Sequence, residues 1–174
     1  MEIQMVKIYT RQGDGGKTKL ANGTTVEKSH NAIEMCGALD ELNSYIGVVL
    51  AAHYDFDSHA TLLTVQKDLF QLGKAVQMED GLEDLDDRVL YLERQINFFD
   101  SKTGHLEGFI LPNGTRGAAE LHYARAICRR VERQVVKCFL MKLSVPLCKY
   151  LNRLGDLLFV LARYLNHDKE RKVE

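Results

Sequence analysis

LHYARAICRRVERQVV, residues 121–136, decides the fold class. Its apolar residues fall at Leu121, Ala124, Cys128, Val131 and Val135, and the series continues to Cys138. That alternation of three and four is the buried stripe of a helix in a bundle. Arg125, Arg129 and Arg133 stand four apart beside the stripe, with Arg130 and Glu132 between them. Residues four apart share one side of a helix. An arginine beside a core seam needs an anion or an acidic partner, because an unpaired buried charge is costly. Two readings stay open at this point. One is a polyanion site, with phosphate as the ligand. The other is a surface helix laced by Arg129–Glu132 and Glu132–Arg125 pairs.

Working outward, the same periodicity recurs. Ile33, Cys36, Leu39, Leu42, Ile46 and Val49 make one face of a helix expected over Asn31–His53. Asp40 lies off that face and is expected to meet an arginine. Gly37 and Gly47 suggest the close approach of a neighbouring backbone, or equally are tolerated defects costing about 1 kcal/mol each. A second helix is expected over His59–Gln77, through Leu62, Val65, Leu69, Leu72 and Val76. The acidic run Glu79–Asp87 reads as solvated surface and as the first turn of a third helix reaching Phe99, since the macrodipole favours carboxylates there. Ser101–Arg116 is a connector, and Thr115 is placed to cap the arginine helix. Within it, Phe109-Ile110-Leu111-Pro112 is too apolar for an exposed loop and is expected to be covered by the bundle or by a bound hydrophobic face. Pro146 marks the start of a last helix to about Asn166, with Tyr150, Leu151, Leu154, Leu158 and Leu161 on its seam. Five helices with short links make an all-α, antiparallel five-helix bundle. The organisation expected is an N-terminal loop region over 1–30, the bundle over 31–166 and a charged tail over 167–174, one domain overall.

The N-terminal region is different in kind. Thr10-Arg11-Gln12-Gly13-Asp14-Gly15-Gly16-Lys17-Thr18-Lys19, with Lys28 further on, surrounds three glycines with hydroxyls and cations. Glycines let backbone N–H groups converge on one ligand, which suits a phosphate cradle. The spacing does not match a Walker motif, because Gly13 is too close to Lys17. The alternative is an ordinary polar terminus.

Composition narrows the classes. The net charge of −1 gives no global basic field for nucleic acid. No apolar run approaches the ~20 residues a bilayer needs, so no membrane span is expected. The N-terminus does not read as a secretory signal. Cys36, Cys128, Cys138 and Cys148 lack a CxxC pattern and read as free, mostly buried thiols of a reducing, cytoplasmic compartment. The six histidines show no metal-ligand spacing.

Five blocks together carry a resemblance: KIYTRQGD at 7–14, LDELNS at 39–44, FILP at 109–112, ARAICRRVER at 124–133 and YLNRLGDLLF at 150–159. In this order, over nearly the whole chain, they resemble the PduO-type ATP:cob(I)alamin adenosyltransferases. The resemblance implies a homotrimeric five-helix bundle of the ferritin-like, cobalamin-adenosyltransferase-like kind, with active sites between subunits. It implies transfer of the 5′-deoxyadenosyl group of ATP to the cobalt of a reduced corrinoid, with release of triphosphate. By that resemblance ATP contacts Thr10, Arg11, Gln12, Gly13, Thr18, Lys19 and Lys28 of the loop. It also contacts Arg129, Arg130, Glu132, Arg133 and Asn152 of the helices. Asp40 and Arg125 form a pair across the subunit boundary, and Phe109 lies under the corrin ring and excludes a lower axial ligand. Mg²⁺ travels on the ATP phosphates, with no protein metal site. A corrinoid reductase and an adenosylcobalamin-dependent enzyme are the implied protein partners. The chain departs from the family pattern at Gly15, where lysine is common, at Ala32 (arginine), at Cys36 (tyrosine) and at Gly155 (serine). The alternative function is an ATP- and corrinoid-binding chaperone or sensor without turnover.

Overall fold

The computed structural model describes residues 8–52, 55–137 and 144–166. Two short strands, β1 (Lys17–Lys19) and β2 (Thr25–Glu27), pair antiparallel with Thr18 opposite Val26. Five helices follow: α1 (Asn31–Ala52), α2 (Phe56–Met78), α3 (Leu85–Asp100), α4 (Arg116–Lys137) and α5 (Ser144–Asn166). Helix α4 packs on α5 and on α1, while α1 also packs on α2 and α3 on α5. The short links fold the helices back on one another as an antiparallel bundle around a single core.

Local chemistry explains the helix ends. Asp55 accepts a hydrogen bond from the Ser58 N–H at 2.9 Å and starts α2 three residues before the expected His59. Glu79 takes a left-handed conformation (φ 58°) that stops it. Thr115 Oγ1 accepts from the Ala118 N–H at 3.2 Å, so the cap foreseen for the arginine helix is present. Asp84 occupies the cap position of α3 but makes no capping bond; it pairs instead with Arg88 at 2.8 Å.

The arginine helix buries the expected stripe, Leu121, Ala124, Cys128, Val131 and Val135. Cys138 and His53 lie outside the described residues. One polar network crosses the core, and nothing in the periodicity announced it. Tyr150, fully buried on the α5 seam, donates its hydroxyl to Asp68 of α2 at 2.9 Å, and Arg88 of α3 reaches the same carboxylate at 3.2 Å.

Several expectations are corrected. The N-terminal region is a hairpin rather than wholly irregular, and its Leu20 joins the bundle core. Gly37 and Gly47 do not mark touching backbones. A Cβ at Gly37 meets nothing within 4 Å, and one at Gly47 meets only the Gln66 side chain at 3.4 Å. Among the described cysteines Cys128 is buried, whereas Cys36 and Cys148 are half-buried; all three are free thiols. Among the described residues no helix is long and apolar enough to cross a membrane.

Candidate functional site

The helix arginines divide by face. Arg129 pairs with Glu132 at 2.7 Å, one turn along α4. Glu132 also accepts from Asn152 Nδ2 of α5 at 3.4 Å, and Asn152 Oδ1 accepts from Arg153 at 2.8 Å. Arg153 is fixed from behind by Glu93 of α3 at 2.9 Å, and that hydrogen bond raises the arginine pKa further. A Cβ at Gly155 would stand 3.4 Å from the Arg129 Cδ, an ordinary side-chain contact. Arg133 is exposed on the same helix and forms no ion pair among the described residues. Arg130 points the other way and pairs with Glu41 of α1, a hydrogen bond that lowers the Glu41 pKa.

Arg125 does not pair with Glu132. Its guanidinium lies 5.4 Å from the centre of the Phe159 ring, within cation–π range. Both line a cleft of about 450 Å³ whose other wall is Phe109, with Leu106, Ile110 and Asp156 completing it. Phe109 is 88% exposed. The bundle therefore does not cover the Phe-Ile-Leu-Pro block, and the aromatic ring stands free over a cation-edged hollow. An exposed phenylalanine in a concave site is costly to leave in water and suits a large flat ligand. Sequence reading missed Phe159 and Asp156 as parts of this wall. Their only signal was an aromatic and a carboxylate on α5, which ordinary packing explains equally well.

A second cleft, about 560 Å³, opens between the hairpin, α1 and α2. Thr18 and Lys19 form its rim, and Asp40, Asn43, Phe70 and Lys74 line it. Asn43 Oδ1 is buried with no hydrogen-bond partner among the described residues. Cys36 lines the same cleft, where burial raises its thiol pKa and Sγ donates to the Gly73 carbonyl at 3.3 Å. Burial pushes the Cys128 thiol up to about 12. Neither is poised as a nucleophile, since the thiolate is the reactive form.

The loop before β1 is tightly wound. The Asp14 N–H donates to the Arg11 carbonyl and the Gly16 N–H to that of Gly13, each at 3.3 Å, and the Lys28 N–H donates to the Gly16 carbonyl at 2.8 Å. Arg11 adopts φ 61°, and its guanidinium lies 5.6 Å from the Tyr9 ring centre. The Lys28 ammonium lies against Gly13, where a Cβ would stand only 3.0 Å from it. Thr10 and Gln12 are exposed beside them. Asp40 is exposed and forms no ion pair among the described residues, so the arginine partner expected for it is not among them. Asp40 and Arg125 line different clefts.

The site thus falls into separate halves, a glycine-rich cationic loop over one cleft and an arginine–aromatic surface on α4 and α5. Comparison with known proteins agrees with this architecture. The family model for cobalamin adenosyltransferases matches residues 8–165. A cobalamin adenosyltransferase of Cupriavidus metallidurans is 41% identical over 168 residues, covering 95% of this chain and 91% of that protein. A corrinoid adenosyltransferase of Bacillus subtilis is 40% identical over 171 residues, covering 92% and 87%. A solved structure similar to this one is a phenylalanine-to-alanine variant of the PduO-type ATP:corrinoid adenosyltransferase from Lactobacillus reuteri, complexed with cobalamin and ATP. It superposes with a TM-score of 0.82 at 29% identity, covering 95% of this chain and 97% of that one. With its bundle, its ordered motifs and these relatives, the chain belongs to the cobalamin adenosyltransferase family.

Proposed function

We propose that this chain transfers the 5′-deoxyadenosyl group of ATP to the cobalt of a reduced corrinoid. The observation that carries the reading is the cleft between the exposed Phe109 and the Phe159–Arg125 stack. A flat apolar macrocycle with polar side arms fits such a wall, and few other metabolites do.

The reaction balances without a protein nucleophile. The electron pair of Co(I) forms a bond to carbon 5′ of ATP. The bond from that carbon to the triphosphate oxygen breaks, and triphosphate leaves with the pair. The chain must align carbon and cobalt and neutralise the leaving group. Arg129 and Arg133 on α4 supply positive charge for the phosphates, with Thr10, Arg11, Gln12, Gly13, Thr18, Lys19 and Lys28 closing over them from the hairpin loop. Glu132 and Asn152 hold Arg129 in register and offer polar contacts to the nucleoside. Arg130, released from Glu41, adds a further cation. Phe109 keeps water and other ligands off the lower face of the ring, which eases formation of Co(I). Among the described residues no group of three or more His, Cys, Asp or Glu could hold a metal. Mg²⁺ would be held mainly by the phosphate oxygens, which are ligands of the hardness it prefers.

Because the halves of the site line different clefts within one chain, the reading includes a homotrimer in which they meet across subunits. Exposed Phe70, Leu63 and Val48 on α1 and α2, with Tyr123 and Val136 on α4, provide apolar area for that contact. Asp40 of one subunit would then meet Arg125 of the next. A corrinoid reductase and an adenosylcobalamin-dependent enzyme, both cytoplasmic, would stand before and after the reaction.

The test is adenosylation of a reduced corrinoid with ATP and Mg²⁺, followed by its absorption spectrum and by triphosphate release. Binding of both ligands without spectral conversion would replace this reading with that of a non-catalytic carrier.

A further inference from the structure

Phe109 stands almost wholly in solvent, so side-chain packing does not hold it in place. Its position must come from the backbone of the connector between α3 and α4, and both feet of that connector are tied to the last turn of α5. At the first foot, Arg163 is nearly buried, donates to the Gly104 carbonyl and reaches Asp100 Oδ1 at 3.5 Å. At the second foot, Asn166 is fully buried. Its Oδ1 accepts from the Thr115 N–H and its Nδ2 donates to the Asn113 carbonyl, each at 2.9 Å. The side-chain amide thus pairs with the turn as a second peptide group would, saturating both backbone groups. Thr115 Oγ1 adds a bond to the Leu165 carbonyl at 3.0 Å. Gly114 makes the arrangement possible. Its φ is 120°, and a Cβ there would lie 1.8 Å from Asn166 Oδ1.

We propose that Arg163 and Asn166 form a two-point clamp that sets where Phe109 stands over the corrinoid cleft. They are positioning residues, since neither lines that cleft. The inference rests on the reading of Phe109 as the residue that packs the corrinoid. Residues 105–112 span the gap between the feet, so loosening either foot moves Phe109 relative to Arg125 and Phe159. Arg129 and Arg133 of the nucleotide half lie more than three turns along α4 from the second foot at Thr115.

The experiment measures steady-state kinetics of the full chain for Asn166→Ala, Arg163→Lys, Phe109→Ala and the Phe109→Ala/Asn166→Ala double variant. Misplacing a contact by about 1 Å can cost roughly 100-fold, so Asn166→Ala should lower kcat/KM for the corrinoid about tenfold or more while KM for ATP stays within about twofold. In the Phe109→Ala background the same change should cost little further, because it acts through a ring already removed. Hydrogen exchange of residues 105–112 should quicken in Asn166→Ala and Arg163→Lys. Folded clamp variants with normal corrinoid kinetics, beside an impaired Phe109→Ala, would overturn the clamp and leave the reading of Phe109 intact. Normal corrinoid kinetics in Phe109→Ala would overturn that reading, and the clamp's functional role with it. Unchanged exchange in the loop would overturn the clamp whatever the kinetics. Should Asn166→Ala fail to fold, Asn166→Asp keeps the acceptor and deletes the donor, and the same outcomes apply to it.

Discussion

Replacing Arg129 by alanine separates two roles that its surroundings allow. Among the described residues Arg129 makes one ion pair, to Glu132 at 2.7 Å, with its own side chain 45% exposed. A pair of this exposure at helical spacing contributes about 0.3–0.5 kcal/mol. Glu132 keeps Asn152 on Oε1 at 3.4 Å, whereas its buried Oε2 loses the Arg129 partner. The fold should therefore lose about 1–2 kcal/mol, a fall in Tm of roughly 2–8 °C for a chain of this size. If the guanidinium holds a phosphate in the closed site, its removal deletes a charge-assisted hydrogen bond of about 1.5–3 kcal/mol, or roughly 10- to 150-fold in kcat/KM for ATP. Arg129→Lys should fall between, because lysine keeps the charge but loses the planar fork. Thermal melting and ATP-dependent initial rates, measured on the same preparations, give both numbers. Arg129→Ala with kcat/KM for ATP within threefold of the parent would refute the phosphate role. A fall in Tm of more than about 10 °C would assign Arg129 to the scaffold instead.

Tyr150→Phe removes the hydroxyl that Asp68 accepts at 2.9 Å inside the bundle, and should cost about 1.5–3 kcal/mol at neutral pH. Burial raises the Asp68 pKa, and the Tyr150 hydroxyl partly opposes that rise. A raised carboxyl contributes stability below its unfolded pKa that is lost as pH rises through the folded value. Deleting the hydroxyl extends that loss upward, so urea midpoints of parent and variant should lie closer at pH 4 than at pH 7.5; an equal gap at both would contradict the coupling. Asp40→Asn and Arg125→Ala, made singly and together, should show non-additive losses in kcat/KM for the corrinoid if the two meet between subunits, and additive losses if they do not. Gly15→Lys restores the cation common in the family at a position where a Cβ meets nothing within 4 Å. It should lower KM for ATP about two- to fivefold, the effect of roughly 0.5–1 kcal/mol from a screened charge, without changing Tm.

The apolar spacing along residues 121–136 was enough to specify a bundle helix, because a stripe repeating every 3.6 residues can be buried only by packing against similar stripes. Thr115 as a cap and the acidic start of α3 were legible for the same reason: both are governed by neighbours within one turn. The residue types of the site, arginines beside a seam and a glycine-rich cationic loop, were also visible, and five ordered motifs named the family. What the linear order could not give was direction and pairing. Arg125 stacks on Phe159, Arg130 turns to Glu41, and Asp40 forms no ion pair among the described residues, although the arginines stand within nine positions of one helix. Asp68 meeting Tyr150 across 82 residues, and Asn166 seating the turn at Gly114, have no local signature. Helix periodicity constrains which side of a helix is buried. Which neighbour an exposed or bridging side chain meets depends on how far each helix is rotated and shifted against the next, and only the packed core sets those two quantities.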